Sequence, residues 1–156
     1  MLSLQVMLLG HDDKFYADEQ MKVTVAFNNF AKNLTERMPR VRFGYAHVVN
    51  NRYYEWSMYA IGGSAHPTIF SQANLFIASN NKKEVTKRET NEKWTNWNWR
   101  SYGDEFINGA FFNSSGTGTC DPLYSQSQNI IAAKASMVTS LTSNAGPLGC
   151  VAGKAC

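Results

Sequence analysis

Asn28-Asn29-Phe30, Asn51-Arg52-Tyr53 and Asn74-Leu75-Phe76 share one form, asparagine, any residue, aromatic, and recur at intervals of 23 residues. A period of about 23 residues is that of a solenoid with one coil per repeat, in which equivalent side chains stack on their counterparts above and below. Both residue types suit such a stack. Asparagine amides can hydrogen-bond along the axis, and aromatic rings bury area against one another. Around these triplets lie short apolar and β-branched runs at 5–9, 22–27, 44–49, 58–61, 68–70 and 75–78, bounded by polar turns. Their length and punctuation mark strands and not helices. The chain is therefore expected to be all-β, a parallel β-helix.

Outward from the repeats the character changes. Residues 80–100 turn charged and then present Trp94, Trp97 and Trp99, which predicts a loop leaving the solenoid, with the tryptophans packed against it. Residues 104–112 return to apolar, strand-like composition. Beyond 114 the chain is rich in Ser, Thr, Gly and Asn, with 129–138 predicted as a short helix. Two parts are expected: coils over 1–113, with the loop at about 80–100, and a tail over 114–156 packed on the outside of the solenoid.

Composition narrows the class of protein. With 156 residues, 44% hydrophobic and 13% aromatic, the chain can bury a core and is not a disordered sequence. Its formal charge of +3 licenses a mild attraction to polyanions, and no groove-reading motif accompanies the basic residues, so a nucleic-acid partner is not expected. No apolar run approaches the roughly 18 to 20 residues that span a bilayer. The first nine residues lack the basic start and small-residue cleavage site of a signal peptide, so any secretion signal is expected upstream. Asn33-Leu34-Thr35 and Asn113-Ser114-Ser115 are N-glycosylation sequons, compatible with a secretory route. Of the three cysteines, Cys150 and Cys156 could close a small disulfide loop in the Gly-containing tail, which leaves Cys120 unpaired.

The chemistry-bearing segment is Arg37-Met38-Pro39-Arg40-Val41-Arg42, followed by Gly44 and His47. On a strand Arg40 and Arg42 share a face, and Pro39 favours a bend that could bring Arg37 and Arg42 to one cleft. Clustered guanidinium groups suit carboxylate recognition, because the planar fork binds a carboxylate in two places. An anionic polysaccharide fits such a surface. His47, alone on an alternating strand, reads as a hydrogen-bonded structural residue. Asp12, Asp13 and Asp18 form a local acidic group, read as solvated and not as a metal site.

Arg37, Pro39, Arg42, Gly44, His47 and Asn51 together resemble the signature Arg-x-Pro-x-x-Arg-x-Gly-x-x-His-x-x-x-Asn of the pectate lyases, polysaccharide lyase family 1. Met7-Leu8-Leu9-Gly10-His11-Asp12-Asp13, Tyr59-Ala60-Ile61-Gly62-Gly63-Ser64, Lys83-Glu84-Val85-Thr86-Lys87-Arg88, Trp97-Asn98-Trp99-Arg100 and Asn108-Gly109-Ala110-Phe111-Phe112 are similar to plant members, pollen-allergen relatives included. The likeness runs over residues 6–156 and corresponds to the C-terminal portion of that family's domain.

The resemblance implies a right-handed, single-stranded parallel β-helix, and calcium-dependent β-elimination of de-esterified homogalacturonan, that is, polygalacturonate or pectin. It implies Arg37 as the base and Arg42 as the group that binds the substrate carboxylate. An arginine serves as base only where positive neighbours and restricted solvation disfavour its cation. Gln5 falls where other members place a substrate-binding lysine. The family's acidic calcium ligands are expected upstream of Met1, so no metal ligand is expected in this chain, and the chain by itself is expected to lack activity. The resemblance also implies a secreted, cell-wall protein acting as a monomer and a disulfide between Cys150 and Cys156. A non-catalytic pectin-binding protein on the same scaffold is the alternative.

Overall fold

The computed structural model describes residues 5–122 and 124–146. Four coils follow one another. The first carries β1 (Leu8–Leu9), β2 (Lys22–Ala26) and β3 (Asn29–Phe30), and the second β4 (Arg40–Arg42), β5 (Tyr45–Val49) and β6 (Arg52–Tyr54). The third carries β7 (Ile61–Ser64), β8 (Thr68–Gln72) and β9 (Leu75–Ile77), and the fourth β10 (Thr86–Arg88), β11 (Trp99–Tyr102) and β12 (Glu105–Ile107). Each strand pairs in parallel with its equivalent one coil on, giving three four-stranded sheets in the orders β1-β4-β7-β10, β2-β5-β8-β11 and β3-β6-β9-β12. This is the expected parallel β-helix.

One corner recurs unchanged. Two residues separate the second and third strands of every coil: Phe27-Asn28, Asn50-Asn51, Ala73-Asn74 and Gly103-Asp104. The first of each pair turns the chain at positive φ (58°, 52°, 51° and 65°). That conformation costs a residue other than glycine about 1–3 kcal/mol, so surrounding contacts must hold it. The second residue supplies them. Asn28 donates its backbone N–H and its amide to Asn51 Oδ1, at 3.0 and 2.9 Å, and Asn51 does the same to Asn74 Oδ1, at 2.8 and 3.0 Å. Next to this ladder runs an aromatic stack, Phe30, Tyr53, Phe76 and Phe106, with ring centroids 4.8, 4.6 and 5.6 Å apart.

The ladder ends on a carboxylate. Asp104 Oδ1 accepts the N–H and amide of Asn74, and Oδ2 accepts the hydroxyls of Ser71 and Ser101 at 2.6 and 2.7 Å. Burial pushes the Asp104 carboxyl above its ordinary value, and these four bonds offset only part of that. A carboxyl raised in the folded state favours folding below its unfolded value and loses that contribution as pH rises through the folded one. Asp104→Asn, which keeps a carbonyl oxygen for Asn74 and carries no charge, is therefore expected to gain stability relative to the parent as pH rises from acid to neutral. Urea unfolding at several pH values checks this, and a constant difference between the two proteins would contradict it.

Two expectations need correction. Residues 80–100 are not one loop: β10 occupies Thr86–Arg88, and only 89–98 leave the coil before β11 begins at Trp99. The charge there belongs partly to the interior. Arg88 turns inward and lies between Trp94 and Trp99, 4.4 and 4.0 Å from their rings, with Nη2 donating to the Asn113 carbonyl and the Ser115 hydroxyl. Burial draws its pKa down to about 10, against the pull of Glu84. Trp97 and Trp99 are buried in the core, as expected of them. Nor is 129–138 a helix. A single 3₁₀ turn at Ala135–Met137 runs into α1 (Val138–Leu141), because the Asn50 amide binds both the N–H and the C=O of Ala133, groups a helix would need.

The described part of the tail crosses the outer face of the second sheet. Tyr45 donates to the Cys120 carbonyl at 2.8 Å and meets Tyr124 edge-on. Cys120 is buried and free, and burial pushes its thiol up to about 11. Cys150 and Cys156 lie outside the described residues.

Candidate active site

Alternation along β4 sets the site. Val41 points into the core and is fully buried, so Arg40 and Arg42 face outward from the first sheet. Arg37 stands just before this strand, at φ 66°, with Met38-Pro39 between them. Its backbone stays tied to the solenoid on both sides, through Met7 N–H to the Arg37 carbonyl and Met38 N–H to the Ala60 carbonyl, each 2.7 Å. Arg40 and Arg42 thus share the outer face of the first sheet, with Arg37 just before the strand.

Each guanidinium is held differently. Arg37 Nη1 donates to Gln5 Oε1 at 2.9 Å, which places Gln5 beside the expected base. Glu36 Oε1 lies 3.4 Å from Arg37 Nε. Arg42 donates from Nε to Asp13 Oδ1 at 3.0 Å and from Nη1 to the carbonyls of His11 and Gly10 at 3.2 and 3.4 Å. Arg40 pairs with Glu89 Oε2 at 2.6 Å and donates to Ser64 Oγ at 3.1 Å. Ser64 in turn donates to Asp13 Oδ1 at 2.6 Å. Under this surface Tyr59 is buried, and burial, with Glu89 and Glu36 adding and Arg37 opposing, pushes its hydroxyl up to about 12.

The loop between β1 and β2 covers the Arg42 end. Gly10 is required there: at φ 103°, a Cβ would stand 2.9 Å from both Arg42 Cβ and its carbonyl oxygen. Asp18 accepts the His11 N–H at 2.6 Å and Asp12 the Lys14 N–H at 2.9 Å, so these two carboxylates shape the loop. Among the described residues no three His, Cys, Asp or Glu side chains converge to hold a metal ion. The site therefore does not fit calcium with the groups described.

His47 is fully buried on the second sheet, bonded to Gln72 Oε1 at 2.9 Å and stacked on Phe70, and burial lowers its pKa. It stands away from the arginine face. Asn33 and Asn113 are both exposed. Glu36, Tyr59, Ser64 and Glu89 escaped the reading of the sequence as members of the site. A signal existed for Ser64: strand register sets it opposite Arg42, one coil of 22 residues further on.

Comparison with known proteins bears on this arrangement. Residues 3–148 match the family model described as Pectate lyase. Probable pectate lyase 16 of Arabidopsis thaliana is 58% identical over 94% of this chain and 38% of its own length. Probable pectate lyase 18 of Solanum lycopersicum is 53% identical over 97% of this chain and 39% of its own. The chain thus spans about two fifths of the length of these relatives. The crystal structure of jun a 1, the major allergen from cedar pollen, superposes with a TM-score of 0.88 at 49% identity, over 92% of this chain and 43% of that one. Pectate lyase II from Xanthomonas campestris superposes at 0.66 with 17% identity, over 88% and 43% of the two chains, a likeness of fold. With the family model matching residues 3–148, and relatives more than half identical over nearly all of it, the chain belongs to the pectate lyase family.

Proposed function

We propose that this chain carries the base and the carboxylate clamp of a pectate lyase, which cleaves (1→4)-α-D-galacturonan by β-elimination in the extracellular space or cell wall. The observation that supports it best is Arg42 facing outward from the first sheet, with Arg37 just before that strand and Gln5 against Arg37. Arg42 has Nε and Nη1 bound within the protein, which directs Nη2 to a uronate carboxylate. A carboxylate bound to a cation makes the proton on the adjacent C5 more acidic. Arg37, in its neutral form, takes that proton, the C5–H electron pair forms the C4=C5 double bond, and the C4–O bond breaks. The departing oxygen acquires a proton and the new end is a 4,5-unsaturated uronide. Gln5 orients Arg37. Calcium, implied for the family, finds no ligand set among the described residues, and the roles assigned are those of the chain's own side chains.

That same observation favours a second reading, pectin binding without turnover. Both are tested by titrating the purified chain with polygalacturonate, highly methyl-esterified pectin and neutral galactan, with and without calcium, while following binding and unsaturated uronide ends. Binding of polygalacturonate with product supports the lyase. Binding without product supports the second reading, and equal affinity for neutral galactan would overturn both. Asn33 and Asn113, exposed sequons, are proposed to carry glycans on the secreted protein, which glycopeptide mapping would show.

A further inference from the structure

We infer that Asp13 is a positioning residue for the Arg42 carboxylate clamp, a role that rests on the clamp reading of Arg42. Arg42 is largely covered, with its side chain 16% exposed, and a covered guanidinium without fixed partners would be poorly aimed. Its Nε and Nη1 are fixed by three acceptors, Asp13 Oδ1 and the carbonyls of His11 and Gly10, all from the β1–β2 loop. Asp13 is itself held. Its Oδ1 also accepts the Ser64 hydroxyl, and Ser64 receives Arg40, which is anchored on Glu89. Arg42, Asp13, Ser64, Arg40 and Glu89 therefore form one continuous line of alternating donors and acceptors across four coils. Gly62, opposite Arg40 in the register, makes room for the Tyr59 ring, which a Cβ there would meet.

The geometry separates two roles for Asp13. A carboxylate that merely competes with substrate for Arg42 would be removed with a gain in affinity. A carboxylate that aims Arg42 would be removed with a loss. Monodentate contact at Nε alone, leaving Nη2 to a ligand, is the arrangement of an aiming group.

The test uses the whole chain and trigalacturonate as probe. Asp13→Ala is expected to weaken binding about tenfold, the scale of one lost hydrogen bond to a charged group. Asp13→Asn keeps an oxygen for Arg42 Nε and for Ser64 and should recover most of the affinity. Ser64→Ala should lose less than Asp13→Ala. In parallel, the Nε–H resonance of Arg42 is expected to be resolved and slowly exchanging in the parent and lost in Asp13→Ala. Unchanged or tighter binding by a folded Asp13→Ala overturns the proposal, as does an Arg42 resonance indifferent to Asp13. A parent chain that binds no trigalacturonate, with the resonance still dependent on Asp13, sinks the clamp reading and upholds the positioning of Arg42 by Asp13.

Discussion

Arg37→Lys is expected to lower the rate at which unsaturated uronide ends form by about 10²- to 10⁴-fold, the range of a positioned proton-transfer group, in the chain joined to the preceding coils of a full-length relative and assayed with calcium and polygalacturonate. Lysine keeps the charge but loses the fork. A single ammonium cannot reproduce both the bond from Nη1 to Gln5 and the approach of Nε to Glu36, which together hold the guanidinium in plane. Arg37 lies on the outer surface and not in the stack, so the urea midpoint should move little. The same holds for its backbone, whose positive φ is imposed by neighbouring strands and does not change with the side chain. A folded Arg37→Lys protein with near-parental rates would remove Arg37 from the role of base. Lost activity together with an early unfolding transition would point instead to damage of the corner.

Asn51→Leu carries the largest expected loss of stability, about 3–6 kcal/mol. Asn51 is fully buried and central in the ladder. Its Oδ1 receives two donors from Asn28, and its amide donates to the carbonyls of Val25 and Val49 and to Asn74. Leucine fills similar volume and satisfies none of them, and each buried polar group left without a partner costs about 1–3 kcal/mol. Against a total of about 5–15 kcal/mol for an ordinary domain, that loss takes much of the margin. Asn28→Leu, at the half-buried first coil with one coil of partners fewer, should cost clearly less. Chemical denaturation of both variants checks the ranking, and a loss under about 1 kcal/mol for Asn51→Leu would show that the ladder contributes little.

How far the sequence disclosed this molecule follows from which contacts repeat. Stacking between coils imposes a strict interval, so Asn28, Asn51 and Asn74 revealed both the pitch and the parallel sheets. Alternation on a short strand was enough to set Arg40 and Arg42 on one face. The fourth turn of the ladder stayed hidden because Asp104 follows Asn74 by 30 residues, the excursion at 89–98 lengthening the coil, and because a carboxylate replaces the amide. β10 was missed since charge was read as exposure, whereas Arg88 is housed between two indole rings. Asp13, in its acidic triplet, reads from sequence as a solvated carboxylate. Its actual partners, Arg42 and Ser64, lie 29 and 51 residues away, separations no local pattern displays.

The two-residue corner after β2, β5, β8 and β11 has a consequence for how such a chain can change over evolutionary time. The other corners differ widely in span, from the pair 43–44 to the long connections 10–21 and 89–98, whereas this one never departs from two residues. An added residue there would slip the ladder asparagine off its neighbour and turn the aromatic two places on out of the core, so one event would undo two stacks at once. Insertions and deletions should therefore be purged at this edge and accumulate at the opposite ones, where the arginine surface lies. The solenoid is in effect a ruler with one fixed margin: drift in loop length reshapes the face that bears the arginines while the graduations along the other edge stay in step.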